Sequence, residues 1–186
     1  MKIIGLNLAV SKQSNTGFCI LSEEVEVIKT LKSDEEIIGA VESFAPDIVA
    51  IATPLSFPEK GNWRKAEAEL DKKKIKFTAP RGLISMEKLT LRGISLKEHF
   101  QNKGFLVIEV HAGAFCDLLK IPREKNYLHM KRLLKIYGLK LPKREFLQVE
   151  LDAVTAAFTA RLFLDAKVEF LGSEDEGQIV VPKVRR

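Results

Sequence analysis

The sequence predicts a single α/β domain over residues 1–186, with a mixed five-stranded sheet flanked by helices and a helical, basic insertion. Three observations predict it. Three β-rich runs follow one another at hairpin-length separation, helix and strand patterns then alternate, and 46% of the chain is hydrophobic. That content buries a sizeable core without disulfides or a structural metal.

The elements read in order as follows. "KIIGLNLAV" and "TGFCILS" are β-rich, and "SKQSNTG" between them has turn composition. "EVEVIKTL" is a third strand. Ser33 then caps "SDEEIIGAVESFA", whose early acids and Ile37, Ile38, Val41 and Phe44 at helical spacing mark a first helix, stopped by Pro46. "DIVAIATP" is the short apolar run of a strand buried on both faces. From Ser56 to Gly104 the pattern is a Pro and Gly loop, a helical "NWRKAEAELDKKK", the turn "TAPRG" and an amphipathic "ISLKEHFQNKG". "FLVIEV" supplies the fifth strand, and "REKNYLHMKRLLKIYG" and "ELDAVTAAFTARLFLDA" are helical, the latter by the strongest signal in the chain. Near the C-terminus, "SEDEGQIVVP" reads as a surface turn, with Glu174, Asp175 and Glu176, leading into a short β-like segment.

Charge is segregated. Residues 60–144 hold 21 Lys and Arg against 8 Asp and Glu, while the whole chain has a net charge of +5. A basic face of this kind suits a polyanion, although Lys enrichment is also a solubility and thermophile signature. Lys72, Lys73, Lys74 and Lys76, with Arg81, Arg92 and Arg64, are candidate phosphate contacts, and Trp63 or Phe77 are candidate stacking partners for a base. The bland alternative is a solvated face with Phe77 in the core. Two distant cysteines, Cys19 and Cys116, fit a reducing compartment. No apolar run reaches the roughly 20 residues of a membrane span, and the first apolar run is broken by Asn7 without a cleavage site after it. A cytoplasmic protein is expected, of undetermined oligomeric state.

Asn7 is the one polar side chain in the apolar middle of "IIGLNLAVS". A buried amide costs free energy unless it is hydrogen-bonded, so it is either a satisfied core group or part of a site. The element order, three antiparallel strands followed by crossovers, is that of the ribonuclease H-like fold, and the same order also serves other α/β sheets. In that fold carboxylates on the first strand, on the strand after the first helix and on the last helix hold two Mg²⁺ ions. Two such cations about 4 Å apart need several anionic oxygens around them. By order those positions fall on Asn7, Ala52 and Asp152.

"GLNLAVS", "DIVAIATPLSFPEKGNWRKAEAEL", "SMEKLTLRGISL", "VIEVHAGA", "ELDAVTAAFTA" and "GSEDEGQIVVPK" resemble, in order and spacing, the DUF429 family of predicted ribonuclease H-like nucleases, over almost the whole chain. In that family Asp stands where this chain has Asn7, Ala52 and Glu67; "ELDA", with Glu150 and Asp152, is intact. The resemblance implies a nuclease-related protein with substituted catalytic acids, binding nucleic acid or a partner, its Mg or Mn affinity weak and its hydrolysis weak or lost. One alternative is an active metal-dependent nuclease with a site rebuilt from Glu67, Glu109, Glu150 and Asp152, Asp152 and Glu109 being the metal ligands. Another is a small-ligand or protein-interaction module on the same fold.

The remaining candidates carry two readings each. Glu109 is a site carboxylate or a partner for Arg64 or Arg92. Glu150 lies about 200° around a helix from Asp152 and joins a common site only from a cap. His111 is a ligand or a hydrogen-bonded group at the strand's end, and His99 and His129 are solvated. Arg64 binds phosphate or, as the more favoured reading, pairs with Glu67. Strand alternation turns Thr53 away from Ala52.

Overall fold

The computed structural model describes residues 1–11, 13–121, 128, 132–133 and 144–184. The helix expected at "REKNYLHMKRLLKIYG", including His129, falls almost wholly outside the described residues.

The N-terminal strands form as read: β1 (Ile3–Asn7), β2 (Thr16–Leu21) and β3 (Val25–Leu31) pair antiparallel in succession. Helix α1 (Asp34–Phe44) starts where the Ser33 hydroxyl accepts the Glu36 amide at 3.1 Å, and it ends at Ala45 in the left-handed region. β4 (Ile48–Ile51) and β5 (Leu106–Val110) then add parallel to β1 and to each other.

The sheet has seven strands rather than five, in the order β3-β2-β1-β4-β5-β7-β6. The two further strands, β6 (Val168–Ser173) and β7 (Gly177–Pro182), form a hairpin whose second arm lies parallel to β5. Local pattern does not reveal that pairing, because Glu109 opposite Ile179 is a contact across 70 residues of sequence.

The insertion differs from expectation as well. α2 (Lys65–Lys72) lies within "NWRKAEAELDKKK", but α3 is one helix, Ile84–Asn102, beginning ten residues before the amphipathic run at Ile94. Gly93 sits in its middle because a Cβ there would come within 2.9 Å of the Pro54 carbonyl oxygen; the loop after β4 rests on the helix at that point. A short helix unmarked in the sequence reading, α4 (Ala112–Leu118), follows β5 directly.

The last helix, α5 (Gln148–Leu164), is buried from Glu150 through Ala160. It lies on the face of the sheet to which Ile3, Gly5 and Asn7 point, while Ile4 and Leu6 enter the opposite core layer, packed with α1 and α3. Two glycines set how closely it lies. A Cβ on Gly5 would stand 2.6 Å from the Ala157 nitrogen, and one on Gly17 would stand 2.5 Å from the Val149 carbonyl carbon. Backbone therefore packs on backbone, and Asp152 arrives beside Asn7.

Gly5→Ala is expected to destabilise the protein by about 3 kcal/mol through this overpacking. Gly39→Ala, on an exposed turn of α1 with open space around it, is expected to stabilise by about 0.5–1 kcal/mol. Urea unfolding of both variants checks the pair; a neutral Gly5→Ala would contradict the close approach.

Candidate functional site

The carboxyl ends of β1, β4 and β5 open onto a cavity of about 190 Å³, where open α/β sheets place ligands. Asn7, Ala52, Glu67, Glu109, His111 and Asp152 all line it, so the strand and helix positions singled out in the sequence converge on one place. Phe77, Met86, Leu89 and Ile179 supply apolar wall.

Asn7 and Asp152 face each other: the Asn7 amide nitrogen donates to Asp152 Oδ2 at 3.3 Å. Gln148, one turn earlier on α5, donates to Asp152 Oδ1 at 2.8 Å. Two carboxylates at Asn7 and Asp152 would repel across this distance without a cation between them. An amide makes the pair compatible as it stands.

The other two carboxylates are held by Arg64, one of the largest fully buried side chains of the protein. Its Nη1 donates to Glu109 Oε2 at 2.8 Å and its Nη2 to Glu109 Oε1 at 2.6 Å, a two-pronged pair. Nη2 also meets Glu67 Oε1 at 2.5 Å, and Nε donates to Glu67 Oε2 at 3.0 Å. Burial disfavours the guanidinium charge, but the hydrogen bonds and charges of Glu109 and Glu67 outweigh it and hold Arg64 firmly protonated. Further bonds fix both acids: the Leu55 amide donates to Glu109 at 2.8 Å and the Arg64 amide to Glu67 at 2.9 Å.

Several expectations are corrected by these contacts. Arg64 pairs with Glu67, as its favoured reading has it, and with Glu109, so it is enclosed as the counter-charge of two buried acids and is not a surface phosphate contact. Arg92 is buried too, with Nε on Asp34 Oδ1 at 2.7 Å and its Nη atoms on the Ala9 and Lys32 carbonyls. Glu150 does not line the cavity with Asp152: it caps α5 at the Leu147 amide and takes both Nη atoms of Arg144, at 2.9 and 3.0 Å. Glu109 lines the cavity, but its two oxygens are both engaged by Arg64, which counts against a metal-ligand role beside Asp152. The turn acids are not all exposed: Glu176 is buried, accepts the Glu59 and Lys65 amides, and so ties the β6–β7 hairpin to the start of α2.

Thr53 was read as facing away, yet it lines the same cavity as Ala52, because β4 ends at Ile51 and alternation stops there. Its methyl group is turned toward Gly93 of α3, and its hydroxyl, buried with the residue only 3% exposed, has no hydrogen-bond partner among the described residues. His111 caps α4, its Nδ1 accepting the Ala114 amide at 2.9 Å, which leaves the proton of the neutral ring on Nε2. His99 pairs with Glu42.

Of the lysine run, Lys72, Lys74 and Lys76 are exposed, while Lys73 pairs with Glu169 at 2.7 Å. Trp63, Lys74, Lys76, Phe77 and Thr78 line an open groove, and Trp63 meets Phe77 edge-on at 5.0 Å. Arg81 lies over the Phe57 ring. Phe77 and Thr78 belong to the groove and to the cavity alike.

Glu67 and Glu109 already neutralise Arg64, Asn7 and Ala52 bring no charge, and among the described residues no group of three or more His, Cys, Asp or Glu is placed to hold a metal. Among the described residues no helix is long and apolar enough to cross a membrane.

A mixed sheet with this strand order and a final helix laid on β1 make an α/β fold that is similar to that of RuvC. Among solved structures, T. thermophilus RuvC in complex with Holliday junction substrate matches with a TM-score of 0.52 and 14% identity, over 89% of this chain and 96% of that one. A second Thermus thermophilus RuvC structure matches with a TM-score of 0.49 and 16% identity, over 88% and 97%. No protein-family profile and no curated protein sequence matches the chain.

Arg64→Met is expected to cost about 3–5 kcal/mol by leaving two buried acids unpaired, whereas Arg64→Met combined with Glu67→Leu and Glu109→Leu should recover most of the loss. Chemical denaturation measures both; equal losses in the two variants would refute a buried-charge origin. The Arg144 hydrogen bonds hold the Glu150 carboxyl below the usual carboxylate range, so its stabilisation is present above that range and is lost as pH falls through the lowered value. Glu150→Gln should therefore be less stable than the native protein at pH 7, with the gap closing below about pH 4. A gap that persisted into strong acid would contradict the pairing.

Proposed function

We propose that the chain is a DUF429-type protein on a nuclease fold that binds nucleic acid, with metal-dependent phosphodiester hydrolysis weak or lost. One observation carries the reading: the guanidinium of Arg64 occupies the carboxylates that would otherwise serve a cation. Asp152 shares the cavity wall with Asn7 and Ala52, which bring no charge where the family has Asp, so less negative charge faces two dications there.

Binding is supported by the exposed groove beside the cavity, where Lys74 and Lys76 stand next to Trp63 and Phe77. Lysine with interleaved aromatic rings is the chemistry of single-strand binding, charge for the backbone and ring faces for the bases. The RuvC structure of similar fold holds a Holliday junction, which is consistent with a polyanion on this scaffold.

The test has two arms. Lys74→Glu with Lys76→Glu should weaken affinity for a labelled single strand at least tenfold and reduce the slope of log K against log salt by about 2. In the second arm, Mn²⁺-dependent cleavage is assayed for the native protein and for Asn7→Asp with Ala52→Asp. Cleavage by the variant alone supports lost metal positions. Cleavage by the native protein overturns the loss of hydrolysis, and salt-independent affinity unaffected by the lysine changes overturns the binding reading.

A further inference from the structure

Residues 52–64 run from the end of β4 to the start of α2 without helix or strand, and they carry Trp63 to the lysine groove. Trp63 is 48% exposed, Phe77 against it is half-buried, and the two rings meet edge-on at 83°. Rings at that angle do not clasp a base between parallel faces. The stacking surface of the groove therefore depends on how the loop holds Trp63.

One residue of the C-terminal hairpin holds that loop. Glu176, in the turn between β6 and β7, accepts the Glu59 amide on Oε1 at 3.0 Å and the Lys65 amide on Oε2 at 2.9 Å. Its main-chain carbonyl takes the Ser56 hydroxyl at 2.7 Å. The amides of residues 59 and 65 are thereby drawn to a single carboxylate, and the chain between them arches with its ends together. Within the arch Gly61 has a φ of 70° and open space where a side chain would stand, and Lys60 and Asn62 are exposed. The buried ion pairs of Arg64 secure the end after Trp63. The end before it, at Glu59, is the one that Glu176 ties down.

Glu176 is only 9% exposed, and Lys65 sends its ammonium to the neighbouring Asp175 at 3.0 Å while giving its amide to Glu176. A carboxylate accepting two main-chain amides makes charge-assisted bonds of fixed geometry. Glutamine at this place would offer one acceptor and one donor, and so could meet only one of the two amides.

We infer that Glu176 is a positioning residue for strand binding: it closes the loop that presents Trp63 to the groove, and it acts on the nucleic acid through that ring. The inference rests on the nucleic-acid reading above and names a residue outside the groove on which that binding depends. Its sign is distinctive. Removing an acid that touches the lining of a polyanion site would, by electrostatics alone, tighten binding. Positioning makes the same change weaken it.

Fluorescence anisotropy of a labelled twelve-nucleotide oligothymidine with the full chain tests it. Trp63→Ala should weaken binding about tenfold. Glu176→Ala should reproduce most of that loss, and Glu176→Gln a smaller part. Asp175→Asn, which removes a neighbouring acid outside the clasp, should bind as the native protein does or more tightly. Glu176→Ala combined with Trp63→Ala should bind no more weakly than Trp63→Ala alone, the non-additivity of two residues that act through one contact. Trp63 is the one tryptophan of the chain, so its emission in the unbound protein should move to longer wavelength, and become more open to acrylamide quenching, in both Glu176 variants. Native or tighter affinity in both Glu176 variants overturns the inference and leaves the nucleic-acid reading intact. An unchanged emission, native affinity in Trp63→Ala, or losses that add in the double variant overturn it as well. Failure of the native protein to bind the strand ends the nucleic-acid reading and this inference with it.

Discussion

A guanidinium held out of water is the constraint on which the rest of the site depends. Arg64 cannot lose its proton to relieve burial, so the fold has to bring anions to it. It brings two, Glu67 one turn along α2 and Glu109 from the end of β5, and adds the neutral hydroxyl of Ser56, which accepts Nη1 at 2.7 Å while donating to the Glu176 carbonyl at 2.7 Å. A single side chain thus links the sheet, the first helix of the insertion and the C-terminal hairpin. The gain in stability over an apolar substitute is small for such a cluster, but its geometry is exacting, and it fixes where each carboxylate points.

That fixing has a chemical consequence at the strand ends. Glu67 and Glu109 form part of the cavity wall, yet their charge is directed at Arg64. Asp152, on the same wall, accepts hydrogen bonds from the side-chain amides of Asn7 and Gln148. A wall built this way favours hydrogen-bond donors of low charge over clustered cations, which need anionic oxygens in excess.

Much of this was legible in the sequence where a local rule applied. Period-two alternation in β1 placed Gly5 and Asn7 on one face, and the small residues of "ELDAVTAAFTA" marked a helix able to lie against it, so the meeting of Asn7 with Asp152 followed from order and pattern. Legibility ended where long-range packing decided. Burial of Arg64 and Arg92 has no local signature, since arginine is ordinarily exposed. The β5–β7 pairing joins distant segments, and Thr53 was misplaced because the end of β4, and with it the end of alternation, is set by the loop resting on Gly93. The acids of "SEDEGQ" read as a solvated turn because two of the three are; the third, Glu176, is buried and accepts the amides of Glu59 in the preceding loop and of Lys65 at the start of α2.

The basic residues divide by chemical type. Arg64, Arg92 and Arg144 each have more than one acceptor in the protein, among them Glu109, Asp34 and Glu150 and the carbonyls of Ala9 and Ile28. A planar fork with five donors can satisfy several fixed acceptors at once, whereas an ammonium on a flexible stem stays hydrated, so the fold recruits arginine for its own connections and leaves lysine at the surface. The positive excess of residues 60–144 therefore overstates the field available to a ligand, and what remains is concentrated on lysines such as Lys72, Lys74 and Lys76. An exposed groove carrying Lys74 and Lys76 lies beside a cavity walled in part by carboxylates, and Phe77 is common to both, so the electrostatic field changes sign across that ring.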